Sequence, residues 1–563
     1  MTKKLILYHI IYITFVSVTF GQDLHLKIIG SDETETKILD SLGYKKTHPN
    51  YITLQAETDS VFSKVTTQGF LEAKLNTISK VNDSSFVSTI ALGRIYKYVT
   101  IHYQDSILKS SYLKNIALTF DHNTFTLAIP KVKTALHALN SLIAQNGYPF
   151  AGLQLTNLSV DENQNVTATL TVSLNGKKRR VDDIVVKGYE KFPKSYLKHF
   201  LKIKKTTLFN LSKIKEKTEL LNNLRFANQA REPEVLFTGD STLLYLYLTK
   251  VKSNTFDGFL GFGTNEESNK IEFDGYLNLE LNNNLNGGET FKLLYKSDEI
   301  KQKTFNANLS LPYVFNSPVG IELGLTIFKK DTLFTTTNQI INATYQVNSR
   351  HLVKTGLENI TSNNIQSTIV NGVDDYKTNL YKIGHQYLSQ NNNNQLFRIN
   401  AYVYSEIGFG KRTLNSTQSH QTQFKFDAHK IFSLNEKNKF YTRINTHGLV
   451  SDSYLENELF RFGGINSIRG FEENSLTATL FGVVNTEYRY LLSPTIYAHT
   501  IIDFSYLENK LLSQKEKLFG FGFGFGILTQ AGLFKLIYAN GKNENQAFKL
   551  SNSKIHLSLN AYF

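Results

Sequence analysis

From Ile555 onward the chain alternates strictly. Ile555, Leu557, Leu559, Ala561 and Phe563 fall on one side, and His556, Ser558, Asn560 and Tyr562 on the other. A period of two is that of a β-strand. An apolar face opposite a polar one, closing on an aromatic residue, is what a strand needs when its outer side meets lipid and its inner side meets water. The pattern recurs upstream: Ile271, Phe273, Gly275, Leu277, Leu279 and Leu281 share a face, and Glu272, Asp274, Tyr276, Asn278 and Glu280 share the other. Turn-forming clusters punctuate this half at 282–284, 286–288, 316–318 and 391–394. The spacing predicts about sixteen strands between roughly 254 and 563, an even number that suits a closed antiparallel barrel. Segment 365–373 is open to reading as strand or loop, which leaves the count open by two. Abundant Tyr and Phe suit the aromatic girdles of a barrel, although aromatic-rich soluble sheets also exist.

Lys3 and Lys4, an apolar stretch over 5–18 and then Thr19-Phe20-Gly21 read as a secretory signal peptide over 1–21. No later run approaches the ~20 consecutive apolar residues of a membrane helix, so membrane passage is expected by strands. There is no cysteine, which excludes disulfides, thiolate metal sites, cysteine nucleophiles and a lipid-anchored N-terminal cysteine. Gly520, Gly522, Gly524 and Gly526 alternate with phenylalanines, which makes a strand and not a phosphate-cradling loop. No Gly-x-Ser-x-Gly elbow or His-Glu-x-x-His pair occurs, and scattered histidines such as His385 and His429 read as barrel residues. Neither an enzyme, nor a cofactor, nor a metal is expected.

Before the barrel the chain repeats. One helical stretch runs into Gly69-Phe70-Leu71-Glu72-Ala73 and a second into Gly147-Tyr148-Pro149-Phe150-Ala151, 78 positions later. Each leads through strand-like segments to a turn, at Leu92-Gly93-Arg94 and Leu174-Asn175-Gly176-Lys177, and then to new strands at 98–103 and 184–187. Repetition at such a period predicts tandem small α+β domains. A third unit is expected over 179–253, with helices around 195–201 and 211–226. It holds much of the positive charge: 177–217 carries fourteen Lys or Arg against four Asp or Glu. Such a patch suits anionic head groups or acidic partners, and equally a solvated helix face.

The segment Phe460-Arg461-Phe462-Gly463-Gly464-Ile465-Asn466-Ser467-Ile468-Arg469-Gly470-Phe471 precedes a predicted strand, 481–491, on which Glu487 is in phase with Asn485 and Arg489. On the next strand Asp503 is in phase with His499 and Ser505, so both acids are expected to face the lumen. The phenylalanines of 519–526 would face lipid, leaving the glycines as lumenal space.

Together these features resemble the outer-membrane insertase superfamily that includes BamA, TamA and the two-partner secretion transporters, in which periplasmic POTRA domains precede a sixteen-stranded barrel. The Gly-aromatic helix end followed by Ala is similar to the POTRA signature. Ile468, Arg469, Gly470 and Phe471 match the family's loop motif of a β-branched residue, Arg, Gly and Phe or Tyr. Three POTRA-like units on a short chain are most similar to TamA. Three features depart from the pattern: the third unit lacks the signature, Ile501 stands where Phe is usual, and Ser505 where Gly is usual.

The resemblance implies a transmembrane antiparallel β-barrel over 254–563, preceded by POTRA-like domains over 22–96, 97–178 and 179–253. It implies that the loop folds back into the lumen, where Arg469 meets Glu487 and Asp503; the alternative is an ordinary surface-loop arginine. It implies a weak lateral seam joining Phe256, Gly258 and Leu260 to Leu557, Leu559 and Phe563. The function implied is assembly of client proteins into the outer membrane by opening that seam and pairing client strands onto it. A secretion pore that passes one dedicated partner through the lumen is the first alternative, and a passive porin or adhesin the second. The partners implied are outer-membrane lipids, unfolded outer-membrane or secreted client proteins, and accessory periplasmic or inner-membrane subunits, with no nucleic acid. The location implied is the bacterial outer membrane, with the N-terminal domains in the periplasm.

Overall fold

The computed structural model describes residues 23–561 except 105–107, 163, 265–270, 298–301, 367–371, 391–393, 395, 530–531, 545–548 and 551–552. The expected signal peptide and Phe563 lie outside the described residues. The chain divides into two compact units, one formed by residues up to 180 with 208–210, the other by 181–207 with everything from 211.

The first unit holds two small sheets with helices on them. In one, strand Leu24–Ile29 pairs parallel with Ser85–Ala91, and helices α1 (Glu33–Ser41) and α2 (Tyr51–Gln68) lie between them in sequence. Leu54, Val61 and Val65 of α2 bury their side chains against Leu26, Ile28 and Ile90. In the other, Tyr98–His102 pairs parallel with Val166–Ser173, and helix α3 (Val132–Gln145) packs Ala135, Leu139 and Ile143 into its core. The Gly-aromatic signature has a physical cause. Gly69 caps α2 in the left-handed conformation (φ 115°), and a Cβ there would lie 2.2 Å from the Tyr96 carbonyl oxygen. The Gly69 carbonyl in turn accepts from Tyr96 N at 2.8 Å, and the Gly147 carbonyl accepts from Arg179 N at 2.7 Å. Each signature thus hooks its own domain to the chain leaving it.

The second unit begins with a third small sheet, in which Asp183–Lys187 pairs parallel with Thr242–Lys250, flanked by Ala227–Phe237. Its helices are α4 (Lys194–His199) and α5 (Leu211–Glu219). This domain lacks the glycine but keeps the hook, since Val251 N donates to the Phe226 carbonyl at 3.0 Å.

A single sixteen-stranded antiparallel sheet follows. Its strands are β1 (Thr255–Thr264), β2 (Ile271–Asn282), β3 (Thr290–Ser297), β4 (Gln302–Leu311), β5 (Val319–Lys330), β6 (Phe334–Gln346), β7 (His351–Asn364) and β8 (Tyr376–Gln390). The others are β9 (Ile399–Leu414), β10 (Thr417–Ser433), β11 (Asn438–Ser451), β12 (Leu480–Ser493), β13 (Ile496–Asn509), β14 (Gln514–Leu528), β15 (Gly532–Asn543) and β16 (Ser553–Ala561). Neighbours in sequence are neighbours in the sheet, and Cα atoms of β1 and β16 approach within 8 Å, which closes the barrel. Of the ambiguous segment, residues 365–366 and 372–373 are not strand.

Alternation sets the two faces. Leu323, Ile341, Leu357, Phe409, Ile502 and Phe523 are exposed on the outside, while Glu358, Lys382, Glu406, Arg412, Glu487 and Asp503 are buried inside. Inside a barrel such charges persist because they pair: Lys382 lies 3.0 Å from Glu358 and 2.6 Å from Glu406. An apolar outer band over a polar interior is the surface of a membrane-spanning barrel.

The third domain is fastened to the turns at one end of this barrel. Tyr196 of α4 is buried, which holds its hydroxyl well above the usual phenol range, and it donates to the Gly288 carbonyl at 3.1 Å. Its ring packs edge-on against Tyr313, with centroids 4.9 Å apart. Asn283 donates to Tyr189 Oη at 2.7 Å and accepts from Gly288 N at 2.7 Å. A Cβ on Gly288 would fall 2.2 Å from Tyr196 Cε2, on a backbone with φ +81°. Gly288→Ala is therefore expected to weaken the joint by about 1–3 kcal/mol. Limited proteolysis should cut several-fold faster between the third domain and β1, while the heat-sensitive electrophoretic mobility of the folded barrel stays unchanged.

Candidate functional site

The connection between β11 and β12, residues 452–479, folds into the lumen. It is long enough to carry its own hairpin, Phe460–Phe462 paired with Leu476–Ala478, which alternation alone had not predicted. At its tip Arg469 is 4% exposed, Asp503 on β13 is 1% and Glu487 on β12 is 6%. Arg469 grips Asp503 three times, through Nη2 at 2.5 Å, Nε at 2.8 Å and its backbone N at 3.0 Å. Its Nη1 donates to Glu487, whose other oxygen accepts from Arg489 Nε at 2.7 Å. Two guanidinium groups against two carboxylates leave the cluster neutral, and a planar guanidinium with several donors is what such a geometry requires.

The rest of the motif explains why the tip can enter. Gly470 has φ 90°, and a Cβ on it would lie 2.4 Å from Gly541 N on β15. A Cβ on Gly520 would lie 2.4 Å from the Arg469 carbonyl oxygen, so Gly520 makes the room the tip occupies, whereas Gly524 and Gly526 lie against the side chains of His499 and Tyr497. The phenylalanines point outward as expected, with Phe521, Phe523 and Phe525 exposed. Ile468 is fully buried among Phe462, Phe481, Leu507 and Leu518, with Phe471 packed beside them. Ile501, one of the departures, is buried with Ile537 and Ala539 against Ile465 of the loop. Ser505, another, is fully buried.

Several anchors of this loop had no local sequence signal. Glu458 accepts from Arg412 Nη1 at 2.7 Å and from Gln421 at 2.9 Å, Asn457 donates to Ser362 at 2.8 Å, and Lys330 meets Glu456 at 3.1 Å. Arg443 donates to the Asn466 carbonyl at 2.8 Å, and Glu472 accepts from Lys554 on the last strand at 2.9 Å. The loop is thus strapped to the wall from β5 round to β16. A cavity of about 520 Å³ remains beside the tip, bordered by Arg469, Glu487, His499 and Tyr276.

The expected seam residues lie on the two edge strands, and the structure brings those strands close without registering them. Among the described residues no ladder joins β1 to β16, whereas β16 pairs with β15 from Ser553 to Ala561. Phe256 and Leu557 are exposed on the outer face. Leu260 lies in β1 and Leu559 in β16, and Phe563 falls outside the described residues. Gly258 has φ 150°, and a Cβ there would sit 2.2 Å from the Tyr276 carbonyl oxygen.

A family model described as POTRA, surface antigen variable number repeat, matches residues 179–247, the very domain without the Gly-aromatic signature. No curated protein sequence matches the chain. Among solved structures, CdiB from Escherichia coli is similar at 14% identity and a TM-score of 0.53, covering 91% of this chain and 98% of that one. CdiB from Acinetobacter baumannii matches at 15% identity and 0.52, covering 84% and 91%. BamA from Haemophilus ducreyi lacking POTRA domains 1–3 matches at 13% identity and 0.50, covering 82% and 99%. At these identities the likeness is one of fold. The chain thus carries a POTRA domain at 179–247 ahead of a sixteen-stranded antiparallel barrel similar in fold to those of BamA and CdiB.

Proposed function

We propose that the protein assembles client proteins into the outer membrane by opening the barrel between β1 and β16, without catalysing a covalent reaction. The observation that carries this reading is the seam: two edge strands lie side by side with no ladder between them among the described residues. An unpaired edge in lipid leaves N–H and C=O groups that water cannot satisfy, each costing several kcal/mol on the order of magnitude. An incoming client strand relieves that cost by pairing with the edge. The strapped loop favours this route over passage through the lumen, because it occupies the space a translocating chain would need.

In this reading all three periplasmic domains are POTRA domains, with boundaries at 22–96, 97–178 and 179–253. Their shared parallel pairing of first and last strands, and their shared hook, support that assignment. Their sheet edges, such as strand Gly152–Val160, receive clients in the periplasm. The test is insertion of an unfolded outer-membrane protein into liposomes. Vesicles carrying the protein are expected to fold the client many times faster than empty ones, and equal rates would overturn the proposal.

A further inference from the structure

The basic stretch of the third domain is held at the edge of the membrane band. His199, at the end of α4, donates Nε2–H to the Asn316 carbonyl at 2.8 Å and stacks on Tyr313. Lys202 donates to the Val347 carbonyl at 2.6 Å. Both carbonyls belong to periplasmic turns, β4–β5 and β6–β7, and the exposed outer face of the barrel starts directly beside them, at Val319 and Ile321 on β5 and at Tyr345 and Ile341 on β6. The chain topology thus sets α4 and Lys202 at the level where head groups meet water. Lys194, Lys198, Lys202 and Lys204 are all exposed there.

The β4–β5 turn carries a second observation. Phe315 is 99% exposed and adopts φ 53°, between Tyr313 and Asn316, which are also left-handed. A bulky residue in that conformation is costly, and its ring stands exposed among the described residues. On the neighbouring wall, His351 stacks on His385 and packs against Tyr387, positions that alternate with the lumen-facing Lys354 and Lys382. Aromatic side chains with polar tips collect at a membrane interface.

We infer that this rim is a docking surface for anionic phospholipid head groups of the periplasmic leaflet. Phe315 enters the interface from the barrel's own turn, and Lys198 and Lys202 sit over the phosphates beside it. Each lysine near an anionic surface attracts it, and an aromatic ring fixes the depth. The surface ties the third domain to the membrane as well as to the barrel.

The chain contains no tryptophan, so Phe315→Trp gives a single fluorescent reporter at this point. In vesicles of equal phosphatidylglycerol and phosphatidylcholine, bromine is placed on one lipid or the other. Quenching is expected from both, and about twofold or more stronger when the anionic lipid carries the bromine. Adding Lys198→Glu and Lys202→Glu should abolish the preference while total quenching persists, because Phe315 rides on the barrel; Lys198→Arg with Lys202→Arg should keep it. Absence of quenching would place the residue in water or under a protein partner and overturn the inference. Equal quenching by the two lipids, or a preference that survives charge reversal, would overturn it as well.

Discussion

Arg469→Ala is expected to yield a barrel that still inserts in the membrane but whose loop leaves the lumen and whose assembly activity falls. The substitution removes every bond to Asp503 made by the side chain and leaves two buried acids against Arg489 alone. Breaking a buried pair by deleting one partner costs about 3–5 kcal/mol, and at 1.4 kcal/mol per decade this shifts loop seating by about two to four orders of magnitude. The strands stay paired, so heat-sensitive mobility of the folded barrel should persist while protease gains access to 463–476. Arg469→Lys keeps the charge but not the fork, and should fall between. Adding Asp503→Ala to Arg469→Ala restores neutrality through Glu487 and Arg489, so the double variant should seat the loop better than the single one. Full activity of Arg469→Ala in a complementation assay would show that the cluster is structural only.

A locked seam is expected to have the larger effect. The chain offers no native thiol to compete, so cysteines at Leu260 and at Leu557 or Leu559 should form a disulfide under oxidation where their Cα atoms come within about 4.4–6.8 Å. Gly258 is unsuited to the purpose, because any side chain there strikes the Tyr276 carbonyl and needs a backbone that L-residues avoid. Oxidation should reduce client insertion in liposomes to the uncatalysed rate, and reduction should restore it. A protein that passes its partner through the lumen would keep working when crosslinked. Unimpaired activity of the fully oxidised form would therefore refute lateral opening and favour the secretion-pore alternative.

What could be read in the sequence and what could not divides along physical lines. The strands were legible because each pairs an outer face in lipid with an inner face in water, and that contrast is written in every second residue. The acids of the Arg469 cluster were legible because Glu487 and Asp503 share a phase with other polar positions on adjacent strands; that the loop reaches them came from the likeness of Ile468-Arg469-Gly470-Phe471 to the family's motif, and Gly520 leaves the room. Glu456, Asn457 and Glu458 gave no such signal: a short acidic run in a loop has the composition of a solvated turn, and only the distant Lys330, Ser362 and Arg412 turn it into an anchor. The joint at Tyr196 was hidden for the same reason, since its partners Gly288 and Tyr313 lie about a hundred residues away and belong to turns. The third domain escaped its signature because a carbonyl is all the hook requires, and Phe226 supplies one without glycine.

The hook also defines where evolution or an experimenter can cut. Gly69 and Gly147 present the same left-handed carbonyl to the next stretch of chain, 78 residues apart. Excising 70–147 in frame would splice one repeat onto the exit of the next with the junction's donor and acceptor still matched. Repeat number in such a chain can therefore drift by whole modules, and the fold itself marks the recombination points.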